Sequence, residues 1–134
     1  MTEVTAAIIY KDDRILMCQR PKGKRCELLW EFPGGKLEKD ETLENCIIRE
    51  CREELDVSVI PEHIVGAVEY DYGDISVRIT FFLCSVYGDS PKCIEHNSID
   101  WLSFDEISKL ELCPADREML NLYADKIKKL IISQ

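Results

Sequence analysis

The chain has 134 residues, of which 46% are hydrophobic and 32% are charged. These fractions lie near the average of globular proteins, so they exclude a disordered or fibrous chain, and the length fits one domain over residues 1–134. The 17 basic and 26 acidic residues give a net charge of -9. Such a charge would repel a phosphate polymer, so neither DNA nor RNA is an expected partner.

The seven cysteines are scattered along the chain without a C-x-x-C pair, and no secretory signal is recognisable. We expect them to be reduced and mostly buried, particularly Cys46, Cys51 and Cys84, which lie inside apolar runs. No apolar run reaches the roughly 20 residues of a membrane-spanning helix. These features predict a cytoplasmic protein without a membrane partner, present as a monomer or homodimer.

The first half of the chain predicts a β-hairpin followed by a short strand. Apolar runs at residues 4–10 and 14–18 flank a polar turn, which is typical of a hairpin. Residues 28–32 predict a further strand, which the sequence Pro33-Gly34-Gly35 ends.

The second half predicts more strands and then two helices. Three segments are strand-like, at residues 57–60, 64–72 and 75–87. Ser103 can cap a short helix over residues 104–110, and Pro114 can open a final helix with apolar residues at helical spacing. The order of elements predicts one α+β domain, an α/β/α sandwich with a mixed β-sheet between helices.

An acidic helix is predicted at Glu41–Leu55, which contains no Gly or Pro and follows Asp40 as a candidate N-cap. At about 100° per residue, Glu50, Glu53 and Glu54 share the face that carries its apolar residues. A charge run on a helix is usually a solvated face, but three like charges on the buried face need a neutralising partner. Mg²⁺ provides one, since it binds carboxylates together with substrate phosphate oxygens.

A glycine turn precedes this helix in the sequence Pro33-Gly34-Gly35-Lys36. Such a turn alone is more often only a turn, although glycines let the backbone approach a ligand that a Cβ would obstruct. Next to the acidic helix it predicts a loop for phosphate and metal, with Lys36 and Arg20 as candidate phosphate-binding cations.

This part of the chain resembles the signature of the Nudix hydrolases, G-x5-E-x7-R-E-U-x-E-E-x-G-U, in which U is a bulky aliphatic residue. The matching residues are Gly35, Glu41, Arg49, Glu50, Glu53, Glu54 and Val57. Two positions depart from it, because Cys51 stands at an aliphatic position and Asp56 at a glycine. Asp tolerates the left-handed conformation of a helix C-terminus better than most residues, so we expect Asp56 to fulfil that role.

The resemblance extends to the MutT-like branch and covers nearly the whole chain. It implies the Nudix fold and hydrolysis of a nucleoside triphosphate to a monophosphate and pyrophosphate, with Mg²⁺ as cofactor and Mn²⁺ as an alternative ion. The metal ligands that it implies are the Gly34 carbonyl and the carboxylates of Glu50, Glu53, Glu54 and Glu95.

Roles in catalysis follow from the same resemblance. Glu50 is the expected general base, with Glu95 as the alternative. Arg49 would orient the helix carboxylates, together with Glu41, and Arg20 would bind phosphate.

The base of the nucleotide is left open by the sequence. Asp116 matches a residue that contacts the base in MutT-like enzymes, and an ionised carboxylate suits the N–H groups of guanine or cytosine. Both 8-oxo-dGTP and CTP or dCTP therefore remain candidate substrates, while Asp116 could equally cap the final helix. Tyr72 and Phe82 are further candidates for the base pocket, although core packing is the commoner role of such residues. The two histidines, His63 and His96, lack metal-ligand spacing and are expected at the surface.

Two other functions compete with this one. A non-catalytic Nudix module that senses a nucleotide would use the same fold, but the glutamates of the signature are all present. A Nudix hydrolase of ADP-ribose or a dinucleoside polyphosphate is the second alternative, which the identity of the products would distinguish.

Overall fold

A mixed β-sheet between helices forms the fold in this computed structural model, which describes residues 1–133. The strands are β1 Thr2–Lys11, β2 Arg14–Gln19, β3 Trp30–Glu31, β4 Gly34–Lys36, β5 Ser58–Asp71, β6 Ser76–Tyr87 and β7 Ser98–Leu102. The helices are α1 Leu43–Leu55, α2 Phe104–Ser108 and α3 Pro114–Ile132. None of the helices in the described part of the chain is long and apolar enough to cross a membrane.

The central strand β1 changes its partner along its length. The sheet order is β3-β2-β1-β6-β5, with β4 also paired to β1 and β7 to β2. Residues 4–6 of β1 pair with β4, and Tyr10 and Lys11 pair with β2, whereas β6 runs parallel along most of β1. This arrangement brings the glycine strand β4 beside the first half of β1.

Two hydrophobic cores cover the two faces of the sheet. Alternate residues of β6 divide between them, with Phe81 and Leu83 facing α2 and α3, and Phe82 and Cys84 facing α1. Helix α1 contributes Ile47 and other apolar residues to its core. The predicted α/β/α layering is therefore confirmed. Because helices cover both faces of β6, its alternate residues are buried on both faces.

Strand β5 is longer than the sequence predicted. Residues 61–63 were expected to separate two strands, but one strand continues through them, with register shifts at Pro61/His63 and Ile64/Gly66. β-Bulges of this kind absorb an extra residue without ending a strand. Proline is tolerated because β5 lies at the edge of the sheet. Strands β4 and β7 were not predicted from the sequence.

The boundaries of α1 differ from the prediction at one end and agree at the other. Asp40 is not the N-cap, since it has a left-handed φ of 63° and lies outside the helix. Thr42 is the N-cap, and its Oγ1 accepts a hydrogen bond of 3.1 Å from the Asn45 N–H. Asp56 ends the helix with a φ of 47°, which confirms its expected left-handed conformation.

The helices after β7 agree more closely with the sequence. Ser103 caps α2 in a reciprocal capping box with Glu106, but the helix ends at Ser108, earlier than expected. Helix α3 begins at Pro114 as predicted. Cys46, Cys51 and Cys84 are buried free thiols, as their apolar surroundings suggested.

Candidate active site

Two adjoining cavities open between β1, β4, α1 and the loops beside them. The acidic cavity has a volume of about 500 Å³ and is lined by Arg20, Pro21, Lys24, Glu31, Gly34, Glu50, Glu54, Glu95 and His96. The apolar cavity has a volume of about 270 Å³, and its wall includes Val4, Ala6, Phe32, Tyr72, Val77, Ile79 and Asp116. Arg20, Glu31 and Gly34 line both cavities, so the two form one continuous cleft.

The acidic cavity collects carboxylates from three parts of the chain. Glu31 comes from β3, Glu50 and Glu54 come from α1, and Glu95 comes from the loop between β6 and β7. The cavity also contains cations, since Arg20 and Lys24 lie in its wall. A cluster of this composition attracts a divalent cation and an anionic ligand together.

Arg49 fixes the positions of the signature acids. Its Nε lies 2.8 Å from Glu41 Oε2, and its Nη1 lies 2.8 Å from Glu50 Oε1 and 3.2 Å from Glu53 Oε2. Its Nη2 also donates to the Lys36 carbonyl oxygen at 3.1 Å. The hydrogen bonds from Arg49 lower the pKa of Glu41 to about 2. One guanidinium thus joins the helix, the segment before it and the glycine strand.

Glu54 is a buried carboxyl group with an unpaired oxygen. Its side chain is 7% exposed, and Oε2 has no hydrogen-bond partner among the described residues. Burial, followed by the neighbouring carboxylates of Glu50, Glu31 and Glu95, raises the pKa of Glu54 to about 10. The protein alone therefore disfavours the ionised form, which a bound cation would favour.

Glu53 lies outside the buried stripe of α1, contrary to the expectation from the helical periodicity. Its side chain is 51% exposed, whereas that of Glu50 is 15% exposed. The position of Glu53 at the edge of the stripe lets it extend along the surface to Arg49.

A hard divalent cation fits this set of donors. Within residues 1–133 no three Asp, Glu, His or Cys side chains converge as a closed metal cage. Mg²⁺ commonly binds through one or two carboxylates and leaves its other positions to water and substrate phosphates, so an open site suits it. The carboxylates around the acidic cavity and the unpaired Glu54 Oε2 supply such oxygens.

The two glycines of β4 allow the close packing at this site. A Cβ on Gly34 would lie 1.9 Å from the Thr5 carbonyl oxygen, which belongs to the backbone of β1. A Cβ on Gly35 would lie 2.5 Å from the carboxyl carbon of Glu50. Gly34 is therefore required for the strand pairing, and Gly35 for the position of the Glu50 carboxylate.

Asp116 is a buried polar residue in the wall of the apolar cavity. Its Oδ1 accepts a hydrogen bond of 3.1 Å from the Phe32 N–H, and α3 has no side-chain cap. Asp116 therefore is not the N-cap of α3, which is Cys113, but lies in the first turn of the helix, near the backbone bridge between Trp30 and Leu112. Burial, followed by the charge of Glu31, raises the pKa of Asp116.

Of the two aromatic candidates, Tyr72 lines the apolar cavity and Phe82 does not. Tyr72 packs against Tyr70 with ring centroids 4.7 Å apart, and the Arg25 guanidinium lies 5.0 Å from its ring centroid. Phe82 is 2% exposed and is buried on the opposite face of the sheet, beneath α1. The alternation along β6 puts Val77 on the cavity side and Phe82 on the other.

The two predicted cations both lie at the cleft. Arg20 lines both cavities, and its Nη1 contacts the two Glu31 carboxylate oxygens at 3.1 and 3.3 Å. Lys36 lies in the wall of the apolar cavity.

The residues of the cleft without a predicted role include four charged or basic side chains, those of Lys24, Arg25, Glu31 and His96. The expectation of a surface position for His96 is wrong, since its side chain is 4% exposed and its Nε2 lies 3.1 Å from Glu31 Oε2. The adjacency of His96 to Glu95 was a signal in the sequence, but its contact with Glu31 spans 65 positions. Local patterns do not detect a pairing of that separation.

The fold and the site together define a hydrolase of phosphorus-containing acid anhydrides. The profile described as the NUDIX domain matches residues 4–122, and the chain belongs to the Nudix family. The predicted resemblance is thereby confirmed. Divalent metals are the usual cofactors of Nudix hydrolases, in agreement with the oxygen donors of the acidic cavity.

Individual relatives resemble most of the chain. It is 32% identical to the CTP pyrophosphohydrolase of Escherichia coli K12 over 123 residues, which cover 92% of this chain and 91% of the relative. It is 37% identical to the 8-oxo-dGTP diphosphatase of Proteus vulgaris over 73 residues, which cover 54% of this chain and 65% of the relative. The crystal structure of a MutT protein from Methanosarcina mazei Go1 superposes with a TM-score of 0.84 at 26% identity, covering 95% of each chain.

Proposed function

We propose that the protein hydrolyses a nucleoside triphosphate to the monophosphate and pyrophosphate with Mg²⁺, and that CTP, dCTP or 8-oxo-dGTP is the substrate. The observation that carries this proposal is the joining of the two cavities through Arg20, Glu31 and Gly34. The apolar cavity suits a base with one buried polar contact at Asp116. The acidic cavity suits a phosphate chain with its cation.

The metal would be held by carboxylates of Glu50, Glu53, Glu54 and Glu95 and by the Gly34 carbonyl. A bound Mg²⁺ supplies charge neutralisation of the phosphates and a more acidic water. Glu53 would contribute an exposed carboxylate to this set and Glu54 a buried one.

The protein groups align the reactants for attack on phosphorus. Arg49 holds the Glu50 carboxylate in place, and Glu50 accepts the proton of the attacking water as general base, with Glu95 as the alternative. Arg20 and Lys36 bind phosphate oxygens at the junction of the cavities. Slower turnover in Glu50→Gln than in Glu95→Gln would favour Glu50 as the base.

Replacing Gly35 by Ala tests the position of Glu50. Because the new Cβ would lie 2.5 Å from the Glu50 carboxyl carbon, the carboxylate must move. We expect kcat to fall by about 10–100-fold, the effect of a misplacement near 1 Å, while the circular dichroism spectrum is unchanged. Gly88→Ala adds the same methyl group at an exposed position away from the cleft, where the φ of 80° makes its cost one of backbone conformation, and it should leave kcat unchanged. Full activity of Gly35→Ala would contradict the role of Glu50.

The preferred base depends on the protonation of Asp116. Since burial raises the pKa of Asp116, its carboxyl favours the neutral form, which has one O–H donor besides its acceptor capacity. This pattern matches N3 and N4–H₂ of cytosine. Guanine presents two donors at N1 and N2, which suit an ionised carboxylate better. The similarity to a CTP pyrophosphohydrolase over 92% of this chain also supports cytosine as the preferred base.

Asp116→Asn is expected to change the preference among bases. If Asn Oδ1 keeps the hydrogen bond from the Phe32 N–H, the side-chain NH₂ group faces the cavity. An NH₂ group cannot accept the hydrogen bond that N4–H₂ of cytosine donates. We expect kcat/KM for CTP to fall by about 10–100-fold, corresponding to about 1–3 kcal/mol for a lost buried hydrogen bond. The decrease for 8-oxo-dGTP should be smaller, because guanine O6 accepts. An unchanged ratio of the two kcat/KM values would show that Asp116 does not contact the base.

A substrate panel with identified products tests the proposed function. The panel contains CTP, dCTP, 5-methyl-dCTP, 8-oxo-dGTP and ADP-ribose, each with Mg²⁺, and kcat/KM is determined for each. We expect monophosphate and pyrophosphate from a cytosine or 8-oxoguanine nucleotide. Turnover of ADP-ribose to AMP and ribose phosphate without turnover of the triphosphates would overturn the proposal, as would complete inactivity of the folded protein.

A further inference from the structure

His96 is buried among the acids of the cleft although it comes from a largely exposed loop. The loop joins β6 to β7, and its residues 92–95 are exposed. The imidazole Nε2 lies 3.1 Å from Glu31 Oε2 and 3.5 Å from Glu54 Oε1. The other ring nitrogen, Nδ1, is buried without a hydrogen-bond partner among the described residues. The contacts of the ring are therefore made through Nε2.

The carboxylate that receives this contact is itself fixed. Glu31 accepts hydrogen bonds from Arg20 Nη1 at 3.1 and 3.3 Å, and Arg20 Nε also donates to the Arg25 carbonyl oxygen. Glu31 therefore holds a defined position between Arg20 and His96. Because an ionised carboxylate only accepts hydrogen bonds, the imidazole bonds with Glu31 through an N–H on Nε2.

The other contacts of the loop lie outside the acidic cavity. The Lys92 N–H donates to the Leu55 carbonyl oxygen at 2.7 Å, and Lys92 Nζ lies 3.1 Å from Asp56 Oδ2 at the end of α1. Asn97 Nδ2 donates to Gln19 Oε1 at 2.7 Å on β2. These contacts hold other parts of the loop. His96, which follows Glu95 in the chain, instead contacts Glu31 and Glu54 in the acidic cavity.

We propose that His96 is a positioning residue, whose Nε2–H bond to Glu31 and contact with Glu54 hold the Glu95 loop against α1. It thereby fixes Glu54 and Glu95 relative to each other before a cation and a nucleotide bind. This role rests on the proposed function of the site. The effect of His96 passes through the carboxylates of Glu31 and Glu54 that its ring contacts.

Three substitutions separate this role from a need for bulk. In His96→Gln the side-chain amide nitrogen stands near the place of Nε2, whereas in His96→Asn it stands near Nδ1, which has no partner. His96→Phe keeps the ring and removes both nitrogens. We expect kcat to fall by about 10–100-fold in the Asn and Phe variants, the range for residues that orient metal ligands. The Gln variant should retain most of the wild-type kcat, and KM should change little throughout.

Binding of Mn²⁺ to the nucleotide-free protein gives a readout independent of turnover. We expect the Kd for Mn²⁺, measured by electron paramagnetic resonance, to rise by about tenfold in the Asn and Phe variants and to be restored in the Gln variant. Lys92→Ala removes a loop contact outside the cavity and should leave both kcat and the Mn²⁺ affinity unchanged. Thermal unfolding of every variant verifies that each is folded.

The outcomes distinguish failure of this inference from failure of the proposed function. If the wild-type protein releases pyrophosphate and His96→Phe does so equally well with the same Mn²⁺ affinity, His96 has no positioning role. Equal losses in the Gln, Asn and Phe variants would also overturn the inference, because the position of the donor would then be irrelevant. If the wild-type protein releases no pyrophosphate from any triphosphate, the proposed function fails, and Mn²⁺ affinity alone decides the role of His96.

Discussion

Replacing Glu54 by Gln is expected to abolish most turnover and at the same time to stabilise the metal-free protein. Turnover should fall because an amide no longer supplies the anionic oxygen that we propose for the cation. Stability should rise because the pKa of Glu54 is raised from 4.5 to about 10 by burial and neighbouring carboxylates. Folding therefore requires the protein either to retain a proton on Glu54 or to bury an unfavourable charge.

The pH dependence of this stabilisation has a definite sign. The contribution of the wild-type Glu54 carboxyl group to the free energy of unfolding is complete below its unfolded pKa of 4.5. It is lost progressively as the pH rises to the folded-state pKa of about 10. At pH 7 the gain in Glu54→Gln should be about 1–3 kcal/mol, since each unit of pKa shift corresponds to about 1.4 kcal/mol and the new amide must itself be accommodated.

Urea denaturation of both proteins in the presence of a chelator measures this difference. We expect the free energy of unfolding to differ at pH 7 and to converge as the pH approaches 4.5. The exposed Glu44, on the same helix, provides a matched control, because Glu44→Gln should alter neither turnover nor the pH dependence. A lower free energy of unfolding for Glu54→Gln than for the wild-type protein at pH 7 would contradict the claim that the buried Glu54 carboxyl destabilises the metal-free protein.

Replacing Arg49 by Lys is the second change with a large expected effect. The guanidinium contacts the carboxylates of Glu41, Glu50 and Glu53 and the carbonyl oxygen of Lys36. A single ammonium group cannot reproduce this fork of donors. We expect kcat to fall by about 100-fold, since the proposed base Glu50 loses its alignment, and the melting temperature to decrease.

Arg52→Lys provides the comparison for this variant. Arg52 lies on the same helix, but it is exposed and contacts Ser58 and Asp56 at the surface. Surface ion pairs of this kind contribute little to stability, so its replacement should leave kcat near the wild-type value. Equal kcat values for the Arg49 and Arg52 variants would show that Arg49 does not organise the site.

The acidic helix was the part of the site best suited to prediction from sequence. The period of α1 places Glu50 and Glu54 near its apolar residues, and both side chains are largely buried. The predicted N-cap of α1 was wrong because Asp and Thr are both favourable N-cap residues. In the structure Thr42, and not Asp40, accepts the hydrogen bond from the Asn45 N–H. Periodicity also failed to predict the exposure of Glu53, because a long side chain at the edge of the buried stripe can extend into solvent.

The apolar cavity depended on contacts that no local pattern encodes. Asp116 reaches the Phe32 N–H across 84 positions, and the bridge between Trp30 and Leu112 that makes this contact is a tertiary feature. The pattern along β6 did not tell which set of residues faced the cleft, because both faces are apolar. Phe82 was consequently assigned to the pocket although it belongs to the core beneath α1.

Product release from a triphosphate is the most direct test of the central claim that this cleft cleaves a phosphate chain at the acidic helix. CTP and 8-oxo-dGTP are incubated separately with the wild-type protein and with Glu54→Gln, each with Mg²⁺ or with a chelator, and the products are resolved. We expect one pyrophosphate for each monophosphate from at least one nucleotide, only in the wild-type protein with Mg²⁺. Release of orthophosphate and a diphosphate, or equal turnover by Glu54→Gln, would contradict the claim.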